Sequence, residues 1–94
     1  MFNYTTLGYF DGDELDLIFL FEAAGLKYEY SNFNIEYDDS DDELGFLEFN
    51  DVSEANFHLM MSIEIKWAEE LGYLNINEVF LSQLDMKKKY LNKT

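Results

Sequence analysis

The chain has no cysteine, no proline and no arginine, and His58 is its one histidine. Without cysteine there is no disulfide framework, no thiol nucleophile and no thiolate zinc site. One histidine does not make a soft-ligand metal set. A Ser-His-Asp triad would have to bring His58 to Ser31, Ser40, Ser53, Ser62 or Ser82, and none of these serines sits in a nucleophile-elbow pattern. His58 therefore reads as a surface or rim residue. The glycines, Gly8, Gly12, Gly25, Gly45 and Gly72, are dispersed and form no phosphate loop. The longest apolar run, Leu17–Phe21, is far short of the ~20 residues that span a bilayer. No basic n-region of a signal peptide opens the chain. These absences predict a soluble, cytoplasmic protein that is not an enzyme and carries no cofactor or metal.

Positive charge is also scarce. Twenty acids stand against six lysines, for a net charge of -14. Four of the lysines, Lys87, Lys88, Lys89 and Lys93, fall in the last eight residues, so residues 1–86 hold twenty acids and two lysines, a balance of -18. A body of this charge repels nucleic acid and anionic membrane and attracts cationic surfaces. Paired carboxylates are so common here that they do not single out acid–base or glycosidase chemistry. The absence of Pro and Arg, with Asn, Lys, Ile, Tyr and Phe frequent, suits an A/T-rich genome such as those of many small bacteria and their phages, which would place the protein in a bacterial host cytoplasm.

What is present is enough apolar material to fold. Hydrophobic residues make up 48% of the 94 and seventeen residues are aromatic. Disordered acidic tails lack such content. One domain, residues 1–94, is expected.

Residues 3–10 carry Tyr4, Thr5, Thr6, Tyr9 and Phe10, a strand-like mixture broken by Asp11-Gly12-Asp13. Asp13 is placed to cap a helix with Glu14 and Asp16 in its first turn, running through Leu17, Ile18, Phe21 and Ala24 to a stop at Gly25. Phe33, Ile35 and Tyr37 alternate with Asn34 and Glu36, the period of a half-buried strand. Asp38–Glu43 is an acidic turn, and Leu44–Asn50 pairs back as a hairpin. Residues 53–71 fit two periods. As a helix, Phe57, Met60, Met61, Trp67, Ala68 and Leu71 share a face, with Asp51 or Ser53 as cap, Gly72 as stop and Glu64 in the middle of the apolar stripe. As a strand, Leu59, Met61, Ile63, Ile65 and Trp67 alternate with polar neighbours and Glu64 is wet. The start and stop signals favour the helix. Asn75 or Asn77 opens a last helix through Val79, Phe80, Leu84 and Leu91, with Lys87–Lys89 complementing its C-terminal dipole. The fold class is α+β: a short, mainly antiparallel sheet of three or four strands with two or three helices. Met60, Met61 and Trp67 fill the core. Some of Tyr4, Tyr28, Tyr30, Tyr37, Tyr73 and Tyr90 reach the surface.

The densest feature lies between Glu36 and Asp51, where Glu36, Asp38, Asp39, Asp41, Asp42, Glu43, Glu48 and Asp51 put eight carboxylates in sixteen residues with no base among them. Tyr37 and Phe46 are interleaved. The plain reading of a charge run is a solvated turn. A cation site is a second reading; the spacing does not fit a dedicated calcium loop and leaves only loose association with Mg²⁺ or Ca²⁺. Counted from Asp39, the sixth and twelfth positions are Leu44 and Asn50; counted from Asp11, the fifth and sixth are Leu15 and Asp16. The third reading is a nucleic-acid mimic. Alternate strand residues lie ~6.6 Å apart, so a hairpin can present fixed negative charge in a row as a phosphate chain does. A basic groove would accept it by the same counterion release. Solubility needs a net charge of only about 2–8 in a small domain, and the excess favours the third reading. Glu36, Tyr37, Asp38, Asp39, Asp41, Asp42, Glu43, Phe46, Glu48 and Asp51 are the expected contacts to a basic partner, a nucleic-acid-binding enzyme or nuclease complex. An inhibitor of the anti-CRISPR or anti-restriction type, or an immunity protein to a basic toxin nuclease, has this character.

Tyr4…Leu7-Gly8-Tyr9-Phe10, Ala23-Ala24-Gly25-Leu26-Lys27-Tyr28-Glu29 and Leu44-Gly45-Phe46-Leu47-Glu48 resemble the N-terminal, thioredoxin-like half of glutathione S-transferases, over roughly residues 3–72. By that resemblance Tyr9 matches the tyrosine that activates the glutathione thiol. Gly45 stands where the family has a cis-proline, Asn56-Phe57 where a Gln-Ser pair binds glutathione, and the helical second domain is missing. The resemblance thus implies a degenerate domain reused for binding, as an adaptor.

Overall fold

The computed structural model describes residues 1–36, 43–71 and 78–93. Within them, a three-stranded antiparallel sheet is backed by three α-helices, an α+β architecture. The strands are β1 (Phe2–Thr5), β2 (Tyr30–Glu36) and β3 (Glu43–Val52); the helices are α1 (Asp16–Ala23), α2 (Glu54–Leu71) and α3 (Glu78–Asn92). The sheet order is β1-β3-β2, both pairings antiparallel. The strand that comes last in sequence is therefore the central one.

Helix α1 is entered through a single 3-10 turn, Asp13–Leu15, whose cap position falls on Gly12 at φ 78° and not on Asp13. Asp11 and Gly12 both take positive φ to bend the chain into that turn. The helix ends where the sequence predicts. Gly25 sits at φ 85°. The Leu26 N–H donates to the Phe21 carbonyl and the Gly25 N–H to the Glu22 carbonyl, both at 2.9 Å. That pairing closes the helix end with a left-handed glycine.

Residues 54–71 form the helix α2. Ser53 is its cap, with Oγ accepting the Asn56 N–H at 3.3 Å. Asp51 belongs instead to β3. It is an extra residue at φ 56°, in a bulge that lets Tyr4 pair with Phe49 and Phe2 with Val52. Without that residue Val52 would face away from the core; with it Val52 is fully buried. The strand period for residues 59–67 loses because Leu59 is exposed while Met60 and Glu64 are buried.

Tyr4, Leu7, Tyr9, Leu17, Phe21, Leu47, Phe49, Val52 and Met60 form the heart of the core, and Trp67 packs at its edge. Phe57 of α2 meets the rings of Phe2 and Tyr4 on β1, and Phe21 of α1 meets Phe49 on β3 edge-on. The helices thus cover β1 and β3. β2 lies beyond them, and every one of its residues is exposed. The expected half-buried strand is an edge strand, wet on both faces. Tyr30 reaches the surface as expected, whereas Tyr4 is a core residue. Tyr37 and Tyr73 lie outside the described residues. Among the described residues no helix is long and apolar enough to cross a membrane.

Candidate partner-binding site

The β2–β3 register runs without a break from Tyr30 opposite Phe49 to Glu36 opposite Glu43. Residues of the pairs 36/43, 34/45, 32/47 and 30/49 share one sheet face. Leu47 and Phe49 are buried on it, so it is the helix-facing side. Phe46 and Glu48 lie on the other face, where Phe46 stacks on Phe33 at 5.4 Å and 11°. The ten expected contact residues are therefore divided. Glu36 and Glu43 come together where β2 ends and β3 begins, on the helix-facing side. Phe46 and Glu48 face the opposite way, and Asp51 sits at the far end in the bulge. Tyr37, Asp38, Asp39, Asp41 and Asp42 lie outside the described residues.

Glu36 and Glu43 are directly opposed like charges, an arrangement that destabilises a sheet pair. The Asn34 amide donates to Glu43 Oε2 at 3.3 Å. Next along this face is Gly45, bridged to Tyr9 by two backbone bonds: Tyr9 N–H to the Gly45 carbonyl at 3.0 Å and Gly45 N–H to the Tyr9 carbonyl at 2.7 Å. The carboxylate of Glu14, from the 3-10 turn, lies directly on Gly45. A Cβ at position 45 would fall 2.2 Å from Glu14 Oε1 and 2.4 Å from its Cδ. Gly45 is thus the residue that makes room for Glu14. Glu14 is only 3% exposed, and its Oε2 has no hydrogen-bond partner among the described residues. Tyr9, Phe10, Asp11, Gly12, Glu14, Asn34, Glu43 and Gly45 enclose a cleft of about 360 Å³ beside it.

A second buried acid is fully satisfied. Glu64, in the apolar stripe of α2, accepts from the Tyr4 hydroxyl and from Lys87 Nζ (2.5 Å) at Oε1. Its Oε2 accepts from the Leu7 N–H at 2.8 Å and the Tyr9 hydroxyl at 2.6 Å. Lys87 Nζ also donates to the Tyr4 hydroxyl oxygen and the Thr5 carbonyl, each at 2.8 Å. It lies 4.2 Å from the centre of the Tyr4 ring. Burial pulls the Lys87 ammonium below its usual range, against the opposing pull of Glu64. Burial, and then the Glu64 charge, hold the Tyr4 hydroxyl well above its ordinary value. Lys87 is thus an internal residue and not the free helix-terminal charge that its place in the Lys87–Lys89 run suggests. Tyr9, the residue singled out by the transferase resemblance, is wholly buried with its hydroxyl on Glu64.

No protein-family model, curated protein or solved structure matches the chain. Among the described residues no group of three or more His, Asp or Glu side chains has the arrangement to hold a metal ion. In the sequence Glu14 reads as an ordinary first-turn acid. The signal that marks it is Gly45, a glycine in the interior of a strand, where close approach by another group is a common reason for one.

Proposed function

We propose that this chain is a non-enzymatic acidic binding protein that occupies the basic nucleic-acid-binding surface of a partner. Its most concrete form is a phage inhibitor directed against a host defence nuclease, in the manner of anti-CRISPR or anti-restriction proteins. The observation that carries the reading is the Glu36–Glu43 pair. Like charges held opposite one another at the last strand pair weaken the free protein, and they flank the segment of the sequence that carries Asp38, Asp39, Asp41 and Asp42. A cationic partner would turn that repulsion into attraction.

The lysines of α3 support the reading. Lys87 is taken by Glu64, Lys88 lies 2.7 Å from Glu69, and Lys89 lies 3.0 Å from Asp85. The basic run is matched by acids of the chain itself, so it forms no free basic patch, and the net charge of -14 sets the outward field. That field speeds encounter with a cationic groove.

The test begins with the partner captured from bacterial lysate and eluted by a salt gradient. Asp38, Asp39, Asp41 and Asp42 are then changed to Asn and Glu43 to Gln. Association at low salt is expected to slow by about tenfold or more, with the circular-dichroism spectrum unchanged, and duplex DNA is expected to compete with the native protein. Unaltered binding by the five-fold variant would sink the reading. A toxin nuclease as the captured partner would make the chain an immunity protein with the same electrostatics.

A further inference from the structure

We infer that the cleft between the 3-10 turn and the β2–β3 hairpin is a receptor for a guanidinium group, centred on Glu14. The inference rests on the reading of the chain as a binder of basic partners, and it names the side chain such a partner would insert: an arginine.

The Glu14 carboxylate is nine-tenths buried and lies on the backbone of Gly45, with Oε2 lacking any donor among the described residues. A buried charged acceptor left unmet is costly. The other buried acid, Glu64, shows the contrast, since each of its oxygens has two donors. The donor Glu14 lacks would have to come from the cleft it lines. Asp11 and Glu43 line the same cleft, so the missing donor should be cationic. The lining also favours guanidinium over ammonium. Phe10 supplies aromatic surface, and Asn34 and Glu43 supply acceptors beside Glu14. A guanidinium is planar, weakly hydrated and able to stack on rings while it donates to several acceptors at once; an ammonium is a compact, strongly hydrated point charge. A divalent metal ion is disfavoured because, among the described residues, the acids here do not form a ligand set.

The test is an NMR titration of the isotopically labelled chain with L-arginine amide, L-lysine amide and L-citrulline amide. Citrulline keeps the shape and removes the charge. Saturable shifts confined to the amides of residues 9–14, 34, 43 and 45 are expected for arginine amide, with at least fivefold weaker binding of the other two. Glu14→Gln should abolish the response. Gly45→Ala is the more telling variant. It leaves the net charge at -14 but places a methyl group where the Glu14 carboxylate lies, so it should also abolish the response. Two-dimensional amide spectra report whether each variant is folded, and Asn34→Ala, at an exposed site, provides a weakened but folded third case. Shifts scattered over the whole acidic surface, or equal binding by native protein and Gly45→Ala, would overturn the inference. Neither result would touch the broader proposal, which stands or falls on the five-acid variant and its partner.

Discussion

Lys87 Nζ of α3 lies 2.5 Å from Glu64 Oε1 in the middle of α2, and the contact is sealed from solvent on the glutamate side. The same carboxylate collects the Tyr4 and Tyr9 hydroxyls and the Leu7 N–H, so one side chain ties together β1, the loop after it, and two helices. Such a pair repays its desolvation only when every lone pair and proton is used. Here they are.

The two ends of this contact are not equivalent. Glu64→Gln strips the charge from four donors and strands the buried Lys87, and is expected to lower the unfolding free energy by about 3–5 kcal/mol. Lys87→Met still leaves Glu64 with three donors, so its cost should fall at the lower end of that range. Urea unfolding of both variants measures the order. A larger loss for Lys87→Met would show that Glu64 is not the organising member.

Alkaline pH separates the contributions of Tyr4 and Lys87. The folded state holds Tyr4 well above its usual 10.0, so above that pH the unfolded chain loses a proton that the folded one keeps. Stability then falls as pH rises. Lys87 acts in the opposite sense. Its folded value lies below the usual 10.5, so the unfolded chain binds more protons in the window beneath that pH, and stability gains across it. Above the window only the Tyr4 effect remains of the two, at up to ~1.4 kcal/mol per pH unit. Tyr4→Phe, although less stable at neutral pH, should show a shallower decline between about pH 10.5 and 12. Parallel declines in denaturant titrations would remove Tyr4 as the cause.

The chain-reversing positions make a separate prediction. Gly25→Ala puts a Cβ into a backbone at φ 85° and should cost about 1–2 kcal/mol. Ser53→Ala removes the acceptor of the Asn56 N–H and should cost about 1 kcal/mol. Thermal melts of the two variants and of the double variant test this. The sites share no partner, so the losses should add.

Tyr9→Phe bears on the transferase resemblance. The hydroxyl is donated to Glu64 inside the core, so its loss should lower stability by about 1.5–3 kcal/mol. Incubation of the native chain with glutathione and a chromogenic electrophile should give only the background rate. Turnover by the native protein that disappears in Tyr9→Phe would make the adaptor reading wrong and the protein an enzyme.

Where local chemistry decides structure, the sequence was a good guide. Gly25 ends α1, Ser53 opens α2, and the strands on either side of residues 37–42 pair with one another, each because a short-range signal has one cheap solution. Glu64 was visible as an anomaly, an acid in an apolar helical stripe, but its donors come from positions 4, 7, 9 and 87, and no period in a sequence brings those together. The exposure of β2 was illegible for a related reason. Phe33 and Ile35 alternate as a buried strand would, but the register puts them with Phe46 on the sheet face away from the helices. Asp51 read as a helix cap because acids suit that place, yet Ser53 is the residue adjoining the helix and Asp51 turns the strand. Glu14 was hidden because the space it occupies is defined by an atom that Gly45 does not have.

The sheet order carries one further consequence, during synthesis. β1 and β2 are made first, and both must wait for residues 43–52 before either has a main-chain partner. At about 5–20 residues per second the interval lasts seconds, and unpaired strands are then open to strands of neighbouring copies. In that interval the nascent segment of residues 1–36 carries seven acids and one lysine, Lys27. Two growing chains of like sign hold each other off. Charge that weakens the finished protein thus protects the unfinished one until its central strand arrives.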